Sequence, residues 1–162
     1  FFYPYNGSTE TVLERLFHDD SHQADWEHII VVVDVAKTNI QKVFYSQHSG
    51  GQWLTIKELN NIEAIDESNG IRPIVYAANQ SHASYPSAGN HGKLQPAAVD
   101  KCDKGYTWAT YNNLSELKSN PLVDTENCWN RFVGLWGRAG SPCSPSFKSL
   151  WCDVSRDKPW SE

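Results

Sequence analysis

Residues 29–33 read Ile-Ile-Val-Val-Val, and no other stretch of this chain limits its fold so sharply. Side chains branched at Cβ lose rotamer freedom in a helix and pack well on a pleated surface, so the near-continuous apolar run over 27–34 selects a strand. Because the run does not alternate with polar residues, it predicts a strand covered on both faces at the centre of a sheet. It is also the longest apolar stretch, and it falls far short of the roughly 20 residues that a membrane-spanning helix needs. With 162 residues, 40% of them apolar and seven of them Trp, the chain has enough material for one globular domain with its own core. The net charge of -5 carries no cluster of Lys or Arg, so nucleic acid is not an expected partner.

Around that strand the order of elements predicts an α+β, mostly antiparallel single domain with helical insertions. A short aromatic strand over 1–5 ends at the turn Asn6-Gly7. Ser8 or Thr9 then caps a helix whose apolar positions Val12, Leu13, Leu16 and Phe17 recur at helical spacing. A second strand over 40–48 follows the first through a hairpin, and Gly50-Gly51 turns the chain toward Trp53 and Leu54. Residues 55–59 read as one helical turn, 73–78 and 106–111 as strands, and 126–136 as an amphipathic helix with Trp129, Phe132, Val133 and Trp136 at i, i+3, i+4 and i+7.

Directly before the β-branched run stands His22-Gln23-Ala24-Asp25-Trp26-Glu27. Alternation along an extended chain points Asp25 and Glu27 the same way, and His22 lies close enough to fold back onto them. Two carboxylates and an imidazole suit a divalent cation with open coordination positions, Mg²⁺, Ca²⁺ or Mn²⁺ rather than a closed zinc site. Asp19 and Asp20 offer further oxygens from the same loop. Two more histidines, His48 and His82, follow strands and open loops, where function is commonly carried. His18 and His91 have no neighbours that call for an imidazole.

Four cysteines, Cys102, Cys128, Cys143 and Cys152, crowd the C-terminal part without a C-x-x-C pair. An even number without metal spacing reads as two disulfides, and of the three connectivities the nearest-neighbour one pairs Cys102 with Cys128 and Cys143 with Cys152. Four buried thiols in a reducing compartment are the alternative. The sequons at Asn6, Asn79 and Asn113, and a first residue Phe1 without a leader, accord with a processed, secreted protein.

Several blocks occur together in an order that resembles the vacuolar protein sorting sixty-two-related family. They are residues 2–7, 22–28, 44–53, 72–76, 81–86 and 129–137. The resemblance spans 1–137 as one domain and leaves 138–162 as a disulfide-tethered extension of it. The family name records an association with vacuolar sorting and implies no activity. The block ending Asp25-Trp26-Glu27 is also similar to the heptapeptide Gly-His-Arg-His-Asp-Trp-Glu of necrosis- and ethylene-inducing-like proteins, with its second histidine replaced by Ala24. That similarity implies a β-sandwich holding a divalent cation on His22, Asp25 and Glu27, with Asp19 or Asp20 as a further ligand. It also implies docking on glycosylated membrane lipids.

Two functions follow as expectations. In the first, the chain is a secreted, monomeric, cation-dependent carbohydrate- or glycolipid-binding protein, a cytolysin-like toxin or defence protein. Its cation would coordinate sugar hydroxyls, Trp26, Trp53 or Tyr85 would stack on a sugar face, and contact with a membrane would be peripheral. In the second, it is a metal-dependent hydrolase of phosphodiesters or glycosides, with His48 or His82 moving a proton. A third and plainer reading leaves the cation a structural part of an unspecialised domain. The absence of a nucleophile elbow, a phosphate-cradling loop or a His-Glu-x-x-His motif favours the binding protein.

Overall fold

The computed structural model describes residues 2–7, 22–36, 38–48, 50–68, 71–92 and 99–113. The expected helices over 8–17 and 126–136, the extension over 138–162, Asp19, Asp20 and three of the four cysteines (Cys128, Cys143, Cys152) lie outside them.

The chain runs β1 (Phe2–Asn6), β2 (His22–Trp26), β3 (Ile29–Val33), β4 (Ile40–Gln47), β5 (Gly50–Thr55), α1 (Ile56–Asn61), β6 (Ile65–Asp66), β7 (Arg72–Pro73), β8 (Tyr76–Ala77), β9 (Ser84–Tyr85), β10 (Gly89–His91) and β11 (Asp100–Cys102), followed by a 3-10 turn (Thr110–Asn113). Among the described residues every pairing is antiparallel: β3-β4-β5 form a meander, and β1-β2, β6-β7, β8-β9 and β10-β11 are ribbons. These pairings establish the mostly antiparallel β character of the fold.

The β-branched run is not the centre of its sheet. In the order β3-β4-β5 the middle place belongs to β4, and every residue of β3 is at least partly open to solvent. Composition reports that both faces of a strand are apolar, but not whether a neighbour pairs on each side. Two successive hairpins enclose β4 and leave one edge of β3 without a strand neighbour among the described residues. On β4, Val43, Phe44, Tyr45 and Ser46 are all buried in succession.

One face of the meander carries the main core. Ile40, Val43, Tyr45, Leu59 and Ala64 are buried together, with Ile29, Leu54, Ile56, Ile65 and Val75 packed against them. The Tyr45 hydroxyl donates to the Ile74 carbonyl at 3.1 Å, tying the sheet to the segment before β8, and burial raises its pKa. Helix α1 starts where residues 55–59 predict a helical turn. Thr55 Oγ1 accepts from the Glu58 amide while the Glu58 carboxylate accepts from the Thr55 amide, a reciprocal cap that satisfies two otherwise orphaned donors.

Three further expectations change. Gly50 and Gly51 are strand residues of β5, and the reversal falls one step earlier, where His48 has φ of 50°. The expected strand over 73–78 is divided between β7 and β8, which belong to different ribbons. The expected strand over 106–111 is irregular to 109 and then turns into the 3-10 segment, with Tyr106 and Trp108 exposed. Among the described residues no strand lies beside it to pair with, and its alternation is not expressed as sheet.

Candidate functional site

The chemistry-bearing side chains gather around the connection between β8 and β9, residues 78–83. Its backbone is closed by Ala78 N–H to Ala83 O at 2.9 Å and His82 N–H to Ala78 O at 3.1 Å. Gln80 and His82 both occupy the left-handed region, with φ of 68° and 56°, conformations that cost a non-glycine residue energy and persist only when the surroundings impose them. Those surroundings are buried carboxylates reaching in from other elements.

Asp25, on β2, lies 3.1 Å from His82 Nδ1. The Tyr3 ring of β1 stacks on the His82 imidazole with centroids 3.9 Å apart and planes 1° from parallel. Burial, followed by the charges of Asp25 and Glu27, raises the Tyr3 phenol above its ordinary value. Asp100, at the start of β11, accepts from Ser81 Oγ, from Tyr85 Oη at 2.6 Å and faces His48 Nε2 at 2.7 Å. Burial acts to raise the Asp100 pKa, but the hydrogen bonds from His48, Ser81 and Tyr85 together outweigh it and hold the carboxyl below its usual value. The Tyr85 hydroxyl is pushed up by burial and by its bond to Asp100, and its ring stacks on His91 at 4.0 Å. Gln47 adds a bond from its side-chain amide to the Ser84 carbonyl at 3.1 Å. Glu27 accepts from Ser46 Oγ, and Ser46 Oγ in turn accepts from the His28 amide at 2.9 Å, so the link between β2 and β3 is bound to β4.

The expected ligand residues are thus close in the fold but already engaged. Asp25 is committed to His82 and Glu27 to Ser46, while His22 Nδ1 turns onto its own strand, 2.6 Å from the Ala24 carbonyl. Ala24 has φ of 58°, so the strand is irregular between His22 and Asp25. Among the described residues no three His, Cys, Asp or Glu side chains converge as a metal site, so the expected His22, Asp25 and Glu27 cluster is not assembled there. His48 and His82, expected as proton carriers, each sit on a buried aspartate. Of the expected stacking residues, Trp26 and Tyr85 are buried, and Trp53 is partly exposed beneath the Lys42 ammonium, 4.2 Å from the ring centroid. The disulfide expected at Cys102 is also corrected. Its thiol is free and buried, 3.8 Å from the Tyr76 carbonyl, and burial pushes its pKa up to about 11.

Sequence reasoning missed Asp100, Ser46, Ser81 and Tyr3. Asp100 gave no signal in the sequence, and only the structure shows that along Asp100-Lys101-Cys102 the burial alternates in, out, in, with the acid on the inward side of β11. Ser46 and Ser81 are too common a residue type to stand out before their partners are known.

The family described as vacuolar protein sorting-associated protein 62 matches residues 1–111. Two relatives from Saccharomyces cerevisiae are similar over most of the chain. Vacuolar protein sorting-associated protein 62 is 26% identical over 174 residues, covering 94% of this chain and 36% of its own length. The putative vacuolar protein sorting-associated protein TDA6 is 26% identical over 176 residues, covering 94% and 37%. The chain therefore spans only a little over a third of the length of these curated relatives. No solved structure matches. These matches overturn the expectation of a secreted cytolysin, toxin or defence protein, and with it the metal-dependent hydrolase. Secretion is overturned on the same ground, since the relatives are named for vacuolar protein sorting.

Proposed function

Because the chain belongs to the vacuolar protein sorting-associated protein 62 family, we propose that it serves vacuolar protein sorting as a recognition module rather than as a catalyst. The observation that carries this reading is the way Asp100 and Asp25 are used. Asp100 collects His48, Ser81 and Tyr85, and Asp25 collects His82, so both carboxylates hold the 78–83 loop in a left-handed, strained form. Buried charges satisfied by internal donors position backbone. A loop held this way by β2 and β11, with the β4–β5 turn bracing Asp100, presents a defined surface of the kind that partner recognition requires.

The test is a chimera. In yeast lacking the relative named vacuolar protein sorting-associated protein 62, the matching third of that relative is replaced by this chain, and the fraction of a soluble vacuolar cargo lost to the medium is measured. The chimera is expected to restore retention, and Asp100→Asn within it to reduce that restoration. A stably expressed chimera that leaves cargo loss at the level of the deletion strain refutes the reading.

A further inference from the structure

Among the described residues no strand pairs with the outer edge of β3. Ser46 N–H donates to the His28 carbonyl at 3.1 Å, which makes residues 28 and 46 a hydrogen-bonded pair at the end of the β3–β4 ladder. Alternation in an antiparallel ladder then turns the amides and carbonyls of Ile30 and Val32 toward β4, and those of Ile29, Val31 and Val33 away from it. The bulge between Val32 and Val33 does not spoil this edge. Val32 is opposite Lys42 and Val33 opposite Ile40, so the extra residue is Gln41 on β4 and β3 itself stays regular.

Natural sheets blunt an open edge with charge, proline or a bulge on the edge strand. Ile29–Val33 carries neither charge nor proline. Val31 is 37% exposed and Val33 42%, and Val35, at the hairpin turn beyond, is fully open. Such an edge is complementary to an uncharged extended strand of β-branched residues, and this chain contains one in β3 itself.

We propose that β3 is a self-association surface through which two copies pair antiparallel about Val31. That register places Val31 opposite Val31 of the second copy, Ile29 opposite Val33 and Ile30 opposite Val32. Each of the outward-facing residues 29, 31 and 33 then meets another outward-facing residue, so the backbone groups left open by β4 satisfy one another across the axis. Every cross-strand pair is β-branched, a favourable combination, and no like charges are brought together. The row Leu54, Val43, Val31 on the core face continues into Val31, Val43 and Leu54 of the second copy. The interface is closed and isologous, so it ends at a dimer. One strand pair with its flanking valines falls at the small end of specific interfaces, below about 1,200 Å², so the dimer exchanges with monomer as concentration changes.

Sedimentation velocity on the 162-residue chain across micromolar to millimolar concentration tests this, together with amide hydrogen exchange at low and high concentration. The expected result is a monomer–dimer equilibrium in which the amides of Ile29, Val31 and Val33 slow on dimerisation while those of Ile30 and Val32 are slow throughout. Val31→Lys and Val31→Glu each set like charges face to face and are expected to weaken dimerisation at least tenfold. Their equimolar mixture is expected to form a heterodimer, and Val31→Thr to retain self-association. A chain that stays monomeric at the highest concentration overturns the proposal. So does a dimer whose formation leaves the exchange at 29, 31 and 33 unchanged, and this readout needs no variant to fold.

Discussion

With only 4% of its side chain exposed, the Asp100 carboxylate serves His48, Ser81 and Tyr85 at once. Asp100→Asn keeps the shape but removes the charge and puts an amide donor where donors already point. Breaking a buried pair in this way typically costs about 3–5 kcal/mol. The folded-state pKa of Asp100 lies below its ordinary 3.8, so its contribution is fully present above the unfolded-state value and fades as pH falls through the folded one. The expected outcome is a lower urea midpoint for Asp100→Asn at neutral pH, with the gap to the parent chain narrowing below about pH 4. A gap that is the same at pH 7 and pH 3 would show that the ionised carboxylate is not what stabilises the fold. The sequence marks Asp25 and Glu27 by their spacing, but it does not mark the donors they meet. His82 is 57 positions from Asp25, and Asp100 is 52 from His48.

At the level of single elements, β5 shows how a local signal is reread by its neighbours. Gly50-Gly51 has the composition of a turn, yet both residues pair with β4, Gly51 with Ser46 and Gly50 with Gln47. A Cβ on Gly51 would lie 2.3 Å from both Phe44 Cζ and the Tyr45 carbonyl oxygen, whereas nothing stands within 4 Å of one on Gly50. The Tyr45 contact is with backbone and cannot be relieved by a rotamer change. Gly51→Ala is therefore expected to destabilise the chain by about 1–3 kcal/mol, as overpacking does. Gly50→Ala is expected to stay within about 0.5 kcal/mol of the parent chain, as surface substitutions do. Chemical denaturation of the two variants side by side checks this, and equal midpoints would refute it. Thr55 and Glu58 are the opposite case. A reciprocal cap is made within four residues, so α1 begins where its sequence says it should.

Across the whole molecule, β2 holds the 78–83 loop through Asp25 and His82, β11 holds it through Asp100 and Ser81, and the β4–β5 turn joins the same network through His48 on Asp100. Residues that share a partner in this way are not independent. Once Asp100→Asn has loosened the loop, Asp25→Asn has less order left to disrupt, so the double variant is expected to fall short of the sum of the singles by about 0.5–3 kcal/mol. Additive losses in a denaturant-based double-mutant cycle would mean that the two pairs act separately. What the sequence determines by itself is whatever contacts near in the chain decide: the strand character of 29–33 and 40–47, the hairpin between them, the cap at Thr55 and the order of family blocks. Those features depend on side-chain branching, turn chemistry and hydrogen bonds spanning a few residues. Tertiary structure alone decides that β4 and not β3 lies at the centre of the meander, that Asp25 meets His82 rather than His22, and that Asp100 belongs to the network. Each depends on which distant segments are brought together, and a carboxylate or an apolar strand accepts many partners equally well until the fold selects one.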